Sequence, residues 1–155
     1  MRLLRPALLV LLLAVAACVP APPPFSSVAG TLPPIPQGQA RIFFYREYEP
    51  YETLSFTTAF LNGTAVGVTQ PGAVIYRNIA PGQYTISVRS EGSFPFQFKT
   101  VMVAAGQVVF VRVDSIRSWS SCSRGLSDCA DTFIVNIVDP RIALGEMGPL
   151  WLVPG

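Results

Sequence analysis

The chain contains no histidine, and that absence removes the commonest general base and the commonest metal ligand together. A serine or threonine nucleophile would need a different base. The only lysine, Lys99, lies in mid-strand and outside any serine–x–x–lysine spacing. Glu47, Glu49 and Glu52 crowd into one short stretch, with nothing to set two of them across a cleft as glycoside hydrolysis requires. Asp128 and Asp131 flank Cys129 without the oxygen-rich surroundings of a calcium loop, and read as solvated loop charges. No enzyme, metal site or cofactor is expected from these residues. An excess of one charge is missing too. Lys and Arg number 11 against 9 Asp and Glu, and Arg2 and Arg5 lie in a segment read below as removed, which leaves nine against nine. Such a balance creates no field to draw nucleic acid, so that class of partner is excluded. Beyond the N-terminus no useful stretch repeats its apolar residues at the helical period, which points to an all-β fold.

What is present begins with an apolar run, Leu8–Cys18, behind Arg2 and Arg5. From Ala7 to Val19 the run falls short of the ~20 residues that cross a bilayer, and no stop-transfer charges follow it. Residues 1–17 therefore read as a secretory signal. Val15-Ala16-Ala17-Cys18 closely resembles the lipobox of bacterial lipoproteins. That resemblance implies cleavage before Cys18 and acylation of its thiol. One acyl chain binds marginally, at ~0.8 kcal/mol per buried CH₂, but two or three chains such as palmitate anchor stably. Val19 stands where an aspartate retains many lipoproteins in the inner membrane, so the resemblance implies the outer membrane, facing the periplasm. In such a compartment the remaining even pair, Cys122 and Cys129, is expected to form a disulfide. Gly125 between them allows the chain to reverse, and two thiolates alone fall short of the four ligands zinc prefers.

Residues 18–37 read as the lipidated cysteine and a tether. Seven prolines between Val19 and Gln37 predict extended polyproline or coil, without helix, reaching up to ~60 Å. Phe25, Val28, Leu32 and Ile35 have no use in a freely solvated spacer and leave open that its second half lies against the domain. Residues 38–147 then alternate short β-branched and aromatic runs with turns. The expected strands are Ala40–Arg46, Phe56–Leu61, Thr64–Val68, Val74–Asn78, Gln83–Arg89, Phe96–Val103, Gln107–Ser115 and Thr132–Val138. Asn62-Gly63 marks a hairpin because both residues tolerate positive φ. Tyr84, Ile86 and Val88 alternate with Thr85, Ser87 and Arg89, predicting a half-buried strand central to the core. Val109, Val111 and Val113 should face in and Arg112 out. Asp139-Pro140 suits a helix start, with Arg141–Glu146 as one short helical turn. The tail, residues 148–155, is expected to be loose. The sum is an antiparallel β-sandwich of seven or eight strands.

The run Gly38–Arg46, then Phe60-Leu61-Asn62-Gly63 with Val66-Gly67, then Ile79–Thr85 and Ala105-Gly106-Gln107, resembles a family of proteobacterial envelope lipoproteins defined by a domain of unknown function. Its Pro-Gly and Ala-Gly turns are also similar to those of carboxypeptidase-regulatory-like and transthyretin-like sandwiches. The resemblance implies the fold and brings no catalytic residue. Two surfaces are binding candidates on their own chemistry. Tyr45, Tyr48 and Tyr51, among Arg46, Glu47 and Glu49, can stack on sugars or pack on a protein. Arg117, Trp119 and Arg124 sit in the long polar loop that holds both cysteines. The expected function is a membrane-anchored, non-enzymatic envelope lipoprotein that binds another envelope component. The alternative is a carbohydrate-binding module that recognises peptidoglycan or a surface glycan through the tyrosine loop.

Overall fold

A computed structural model describes residues 22–49, 53–90, 97–116 and 132–153. In chain order these form α1 (Phe25–Val28), a 3-10 turn (Ala29–Thr31), β1 (Ala40–Arg46), β2 (Thr57–Leu61), β3 (Thr64–Thr69), β4 (Ala73–Ile79) and β5 (Gly82–Val88). There follow β6 (Phe98–Val103), β7 (Val108–Ile116), β8 (Thr132–Ile137), α2 (Pro140–Met147) and β9 (Trp151–Leu152). One sheet has the order β8-β7-β1-β4-β9 and the other β3-β2-β5-β6. The all-β sandwich is thus as the alternation predicted, with the strand limits within two residues of those expected. The antiparallel expectation holds for the four-stranded sheet and needs correcting for the other. There β1 runs parallel to β7, and β9 parallel to β4. Alternation reports which side chains share a face and carries nothing about a neighbour's direction.

Between the sheets lies a core of Ile42, Phe44, Ala59, Leu61, Ile86, Val88, Val109, Val111, Val113, Phe133 and Val135. The predicted inward faces of β5 and β7 are both found here. Tyr84 is the exception, being half-buried, with its hydroxyl donating to the Ala80 carbonyl at 2.8 Å so that it closes the Pro81-Gly82 turn. Asn62 and Gly63 have φ of 49° and 78°, as their hairpin requires. As predicted, β5 is half-buried, with Ile86 and Val88 in the core; the strand buried along its whole length is β1.

That burial comes from a second apolar layer on the far side of the five-stranded sheet. Phe43, Tyr45, Val74 and Phe110 meet Phe25 from α1, Ala143 and Met147 from α2, and Leu150. Two expectations are overturned here. The tether is folded from Pro24 onward and contains a helical turn, because residues 25–32 carry no proline. Ser27 Oγ donates back to the Pro24 carbonyl at 2.7 Å and Thr31 Oγ1 to that of Val28 at 2.8 Å, which closes the two short turns. Burying Phe25 is worth roughly 1.5–3 kcal/mol, enough to hold so short an element. The tail is not loose either. Trp151 N–H donates to the Gly72 carbonyl at 3.0 Å and Val153 N–H to that of Val74 at 2.8 Å. Gly72, at φ +76°, leaves room for the indole: a Cβ there would lie 2.6 Å from the Trp151 ring. The ends meet at the Pro24–Trp151 bridge, beside a 2.5 Å bond from Phe25 N–H to the Leu150 carbonyl. As predicted, Asp139 caps α2 by accepting from the Arg141 N–H at 2.9 Å, with Pro140 first in the helix.

Candidate functional site

Tyr45 does not belong to the predicted tyrosine surface. Side chains alternate along β1, so Tyr45 points into the second layer, where it is fully buried and its hydroxyl donates to Glu146 Oε2 at 2.5 Å. Burial, then the Glu146 carboxylate, push its pKa far above the ordinary phenol range. It is a fixed donor inside the fold. Tyr48 is 60% exposed and stands apart from it. Tyr51 lies outside the described residues, as do Arg117, Trp119, Arg124, Cys18 and the Cys122–Cys129 pair.

Around Tyr45 the charges serve the fold. Glu146 also accepts from Arg112 Nη1 at 2.8 Å, Arg112 Nε donates to Asp114 Oδ1 at 2.9 Å, and Asn136 Nδ2 donates to Asp114 Oδ2 at 2.7 Å. Arg112 therefore faces away from the main core, as expected, yet under α2 and paired. Burial opposes its charge, but Asp114 and Glu146 outweigh that and raise its pKa. Glu47 is pushed above the usual carboxylate range by burial and then by the Glu146 charge, with Arg112 partly offsetting them. Arg46, also expected beside the tyrosines, is buried; Nη1 donates to the Ser55 carbonyl at 2.7 Å and Nη2 to that of Thr53. Its guanidinium lies 5.0 Å from the Phe133 ring centroid. At the other end of β1, Arg41 Nη2 donates to the Pro33 carbonyl at 2.7 Å, Nε to Asn78 Oδ1 at 2.9 Å, and the group stacks 4.6 Å from the Tyr76 ring. Each of these groups clamps a crossing segment. Among the described residues no three histidine, cysteine, aspartate or glutamate side chains group to hold a metal.

The surface free to bind is the outer face of the four-stranded sheet. Because Ala59, Leu61, Ile86, Val88 and Val103 turn inward, Thr58, Phe60, Gln83, Thr85, Ser87, Phe98, Thr100 and Met102 turn outward. Strand register lines them up: Phe60 opposite Ser87 and Ser87 opposite Phe98, Thr85 opposite Thr100, and Gln83 opposite Met102. Phe98 is 62% exposed and Met102 68%, and Val68 extends the patch beside Thr58. Lys99 is the sole charged residue of these four strands, and it stands on the core side of edge strand β6. An inward charge at an edge discourages pairing with another sheet, while the face itself stays uncharged. Chemically it offers rings, a thioether, hydroxyls and one amide: apolar contact plus neutral hydrogen bonds. The sequence signal was Phe98, Thr100 and Met102 at alternate positions, in a strand to which the pattern alone assigned no face.

A second concavity, about 370 Å³, opens between the terminal segments and the five-stranded sheet, lined by Phe25, Leu32, Ile35, Arg41, Phe110 and Leu144. Ile142 and Leu144 project from α2, more than half exposed. A family model described as Protein of unknown function (DUF2846) matches residues 36–125, from the turn before β1 to beyond the end of β7. No curated protein matches the chain.

Proposed function

Because the chain belongs to the DUF2846 family, whose description carries no activity, we propose from its own geometry that it is a non-enzymatic lipoprotein of the bacterial envelope. Acylated Cys18 holds it to the membrane, and the open face of its four-stranded sheet engages another envelope component. The observation that carries this reading is that one broad sheet face is uncovered and uncharged while the opposite face of the sandwich is built over. Phe98, Met102 and Val68 stand exposed on that face among hydroxyls and one amide, a mixture suited to a partner that brings both apolar contact and hydrogen bonds.

A photo-crosslinking residue at Phe98 or Met102 in intact cells should give discrete protein adducts, and one at Tyr48 should not. Adducts from Tyr48 alone would return the binding surface to the loop after β1. Cys18→Ser should abolish acylation and membrane fractionation while the domain stays folded; an unchanged membrane fraction would overturn the anchor. A glycan reading moves to this same face, since the backbones under Phe60 and Phe98 are two strand spacings apart, about 10 Å, with Ser87 between. Two rings so placed suit successive sugars. Co-sedimentation of the lipid-free domain with purified sacculi, lost in Phe98→Ala, would favour glycan over protein.

A further inference from the structure

The cap over the five-stranded sheet consists of α1, the 3-10 turn, α2 and the β9 segment, and it is also where the anchor leaves the domain. Pro24 is pinned by its bridge to Trp151, and Ser26 N–H donates to the Gly148 carbonyl at 3.1 Å, so α1 is seated against the C-terminal end of α2. Cys18 stands only six positions before Pro24, and prolines stand at 20, 22, 23 and 24. At ~3.1 Å per residue that segment reaches roughly 19 Å. A domain of this length is roughly 35 Å across. A strap shorter than the body it holds cannot let the body turn its far side to the bilayer. The side within reach is the cap. There Leu144 projects at the lip of the apolar groove, more than half exposed, from the helix that Ala143 and Met147 pack onto the sheet.

Resting on the lipoprotein reading above, we infer that the cap face lies on the lipid surface to which Cys18 is anchored, with Leu144 at the lip of the apolar groove entering the acyl boundary. Apolar side chains held at that boundary are removed from water, which is what binds a surface element to a bilayer. The four-stranded sheet then points away from the membrane, toward whatever approaches from the aqueous side. The polyproline stretch acts as a short strap and not as a long spacer.

The test uses the acylated full chain, purified from membranes and reconstituted into vesicles of phosphatidylethanolamine and phosphatidylglycerol with brominated acyl chains. Bromine quenches only nearby indoles, so two substitutions at exposed positions report the two faces: Leu144→Trp on the cap and Thr85→Trp on the open sheet. The wild-type signal from Trp119 and Trp151 is subtracted from both. Leu144→Trp should show strong added quenching and Thr85→Trp none. If mass spectrometry of the N-terminal peptide finds Cys18 without lipid, the anchor reading and this inference fall together. If Cys18 is acylated but Leu144→Trp is quenched no more than wild type, or Thr85→Trp is quenched equally, the inference alone is overturned.

Discussion

The covered sheet carries the charges and the open sheet has almost none. Arg41, Arg46, Arg77, Arg112 and Asp114 all lie in strands of the five-stranded sheet, where segments pack on both faces. Their geometry resolves the contradiction. Arg41 reaches the chain before β1, Arg46 the loop after it and Arg112 the helix α2. Irregular segments that cross a sheet bring carbonyls and caps with no ladder to satisfy them, and a buried acceptor without a donor costs ~1–3 kcal/mol. Guanidinium groups supply several donors on a long stem. An open face meets water and needs no such clamps. Charge inside this sandwich therefore marks where something covers a sheet, and its absence marks where nothing does.

Phenylalanine at equivalent outward positions on the two sheets gives the sharpest contrast. Phe43 stacks on Phe110 at 5.4 Å between centroids and meets Phe25 edge-on at 5.6 Å. Phe43→Ala should lower unfolding free energy by about 3–5 kcal/mol in urea melts, as for a buried aromatic. A loss under ~1 kcal/mol would mean that the cap adds little, against the ordinary cost of truncating a core ring. Gly72→Ala comes next. It combines backbone strain of ~1–3 kcal/mol with a clash against Trp151, and should release the β9 segment, seen as faster amide exchange at Trp151 and Val153.

Glu47 offers a smaller effect with a defined sign. Its folded pKa is raised, so between the unfolded and folded values the native state binds more protons and stability falls as pH rises through that window. Glu47→Gln should remove this slope and leave the variant slightly more stable than wild type at neutral pH. The difference should vanish once pH falls below the ordinary carboxylate range. A variant less stable at neutral pH would contradict it. Last is Phe98→Ala, expected to change stability by no more than about 0.5 kcal/mol, as at exposed sites generally, while weakening binding. A destabilisation like that of Phe43→Ala would show the open face to be packed after all.

These contrasts also explain what could be read in advance. Turn residues and alternation located every expected strand, the Asn62-Gly63 hairpin and the Asp139-Pro140 cap, because each is a local property of the backbone. The second layer was less legible. Alternation divides β1 into two faces and leaves unsaid what lies on the second, so Tyr45 looked like surface chemistry when it was the floor of the cap, and Arg46 when it was buried on the other face beside Phe133. A signal existed in Ile42–Tyr45, four apolar or aromatic residues without interruption, the mark of a strand buried on both sides. The proline count hid α1 in the same way, since prolines cluster at both ends of the segment and spare residues 25–32. For the binding site, the sequence pointed to tyrosines through their chemistry. The open sheet emerges only when one sees which face lacks a cover.

The joining of the two chain ends also has a consequence in time. Phe25 is among the first residues of the domain to emerge from the ribosome, yet its partners Met147 and Leu150 are separated from it by all of the sandwich strands before β9. The cap cannot assemble until synthesis has passed Leu150. Until then Phe25 has no partners on the cap side but the sheet itself. The cap is therefore the last part of the fold to close, an order set by chain length alone.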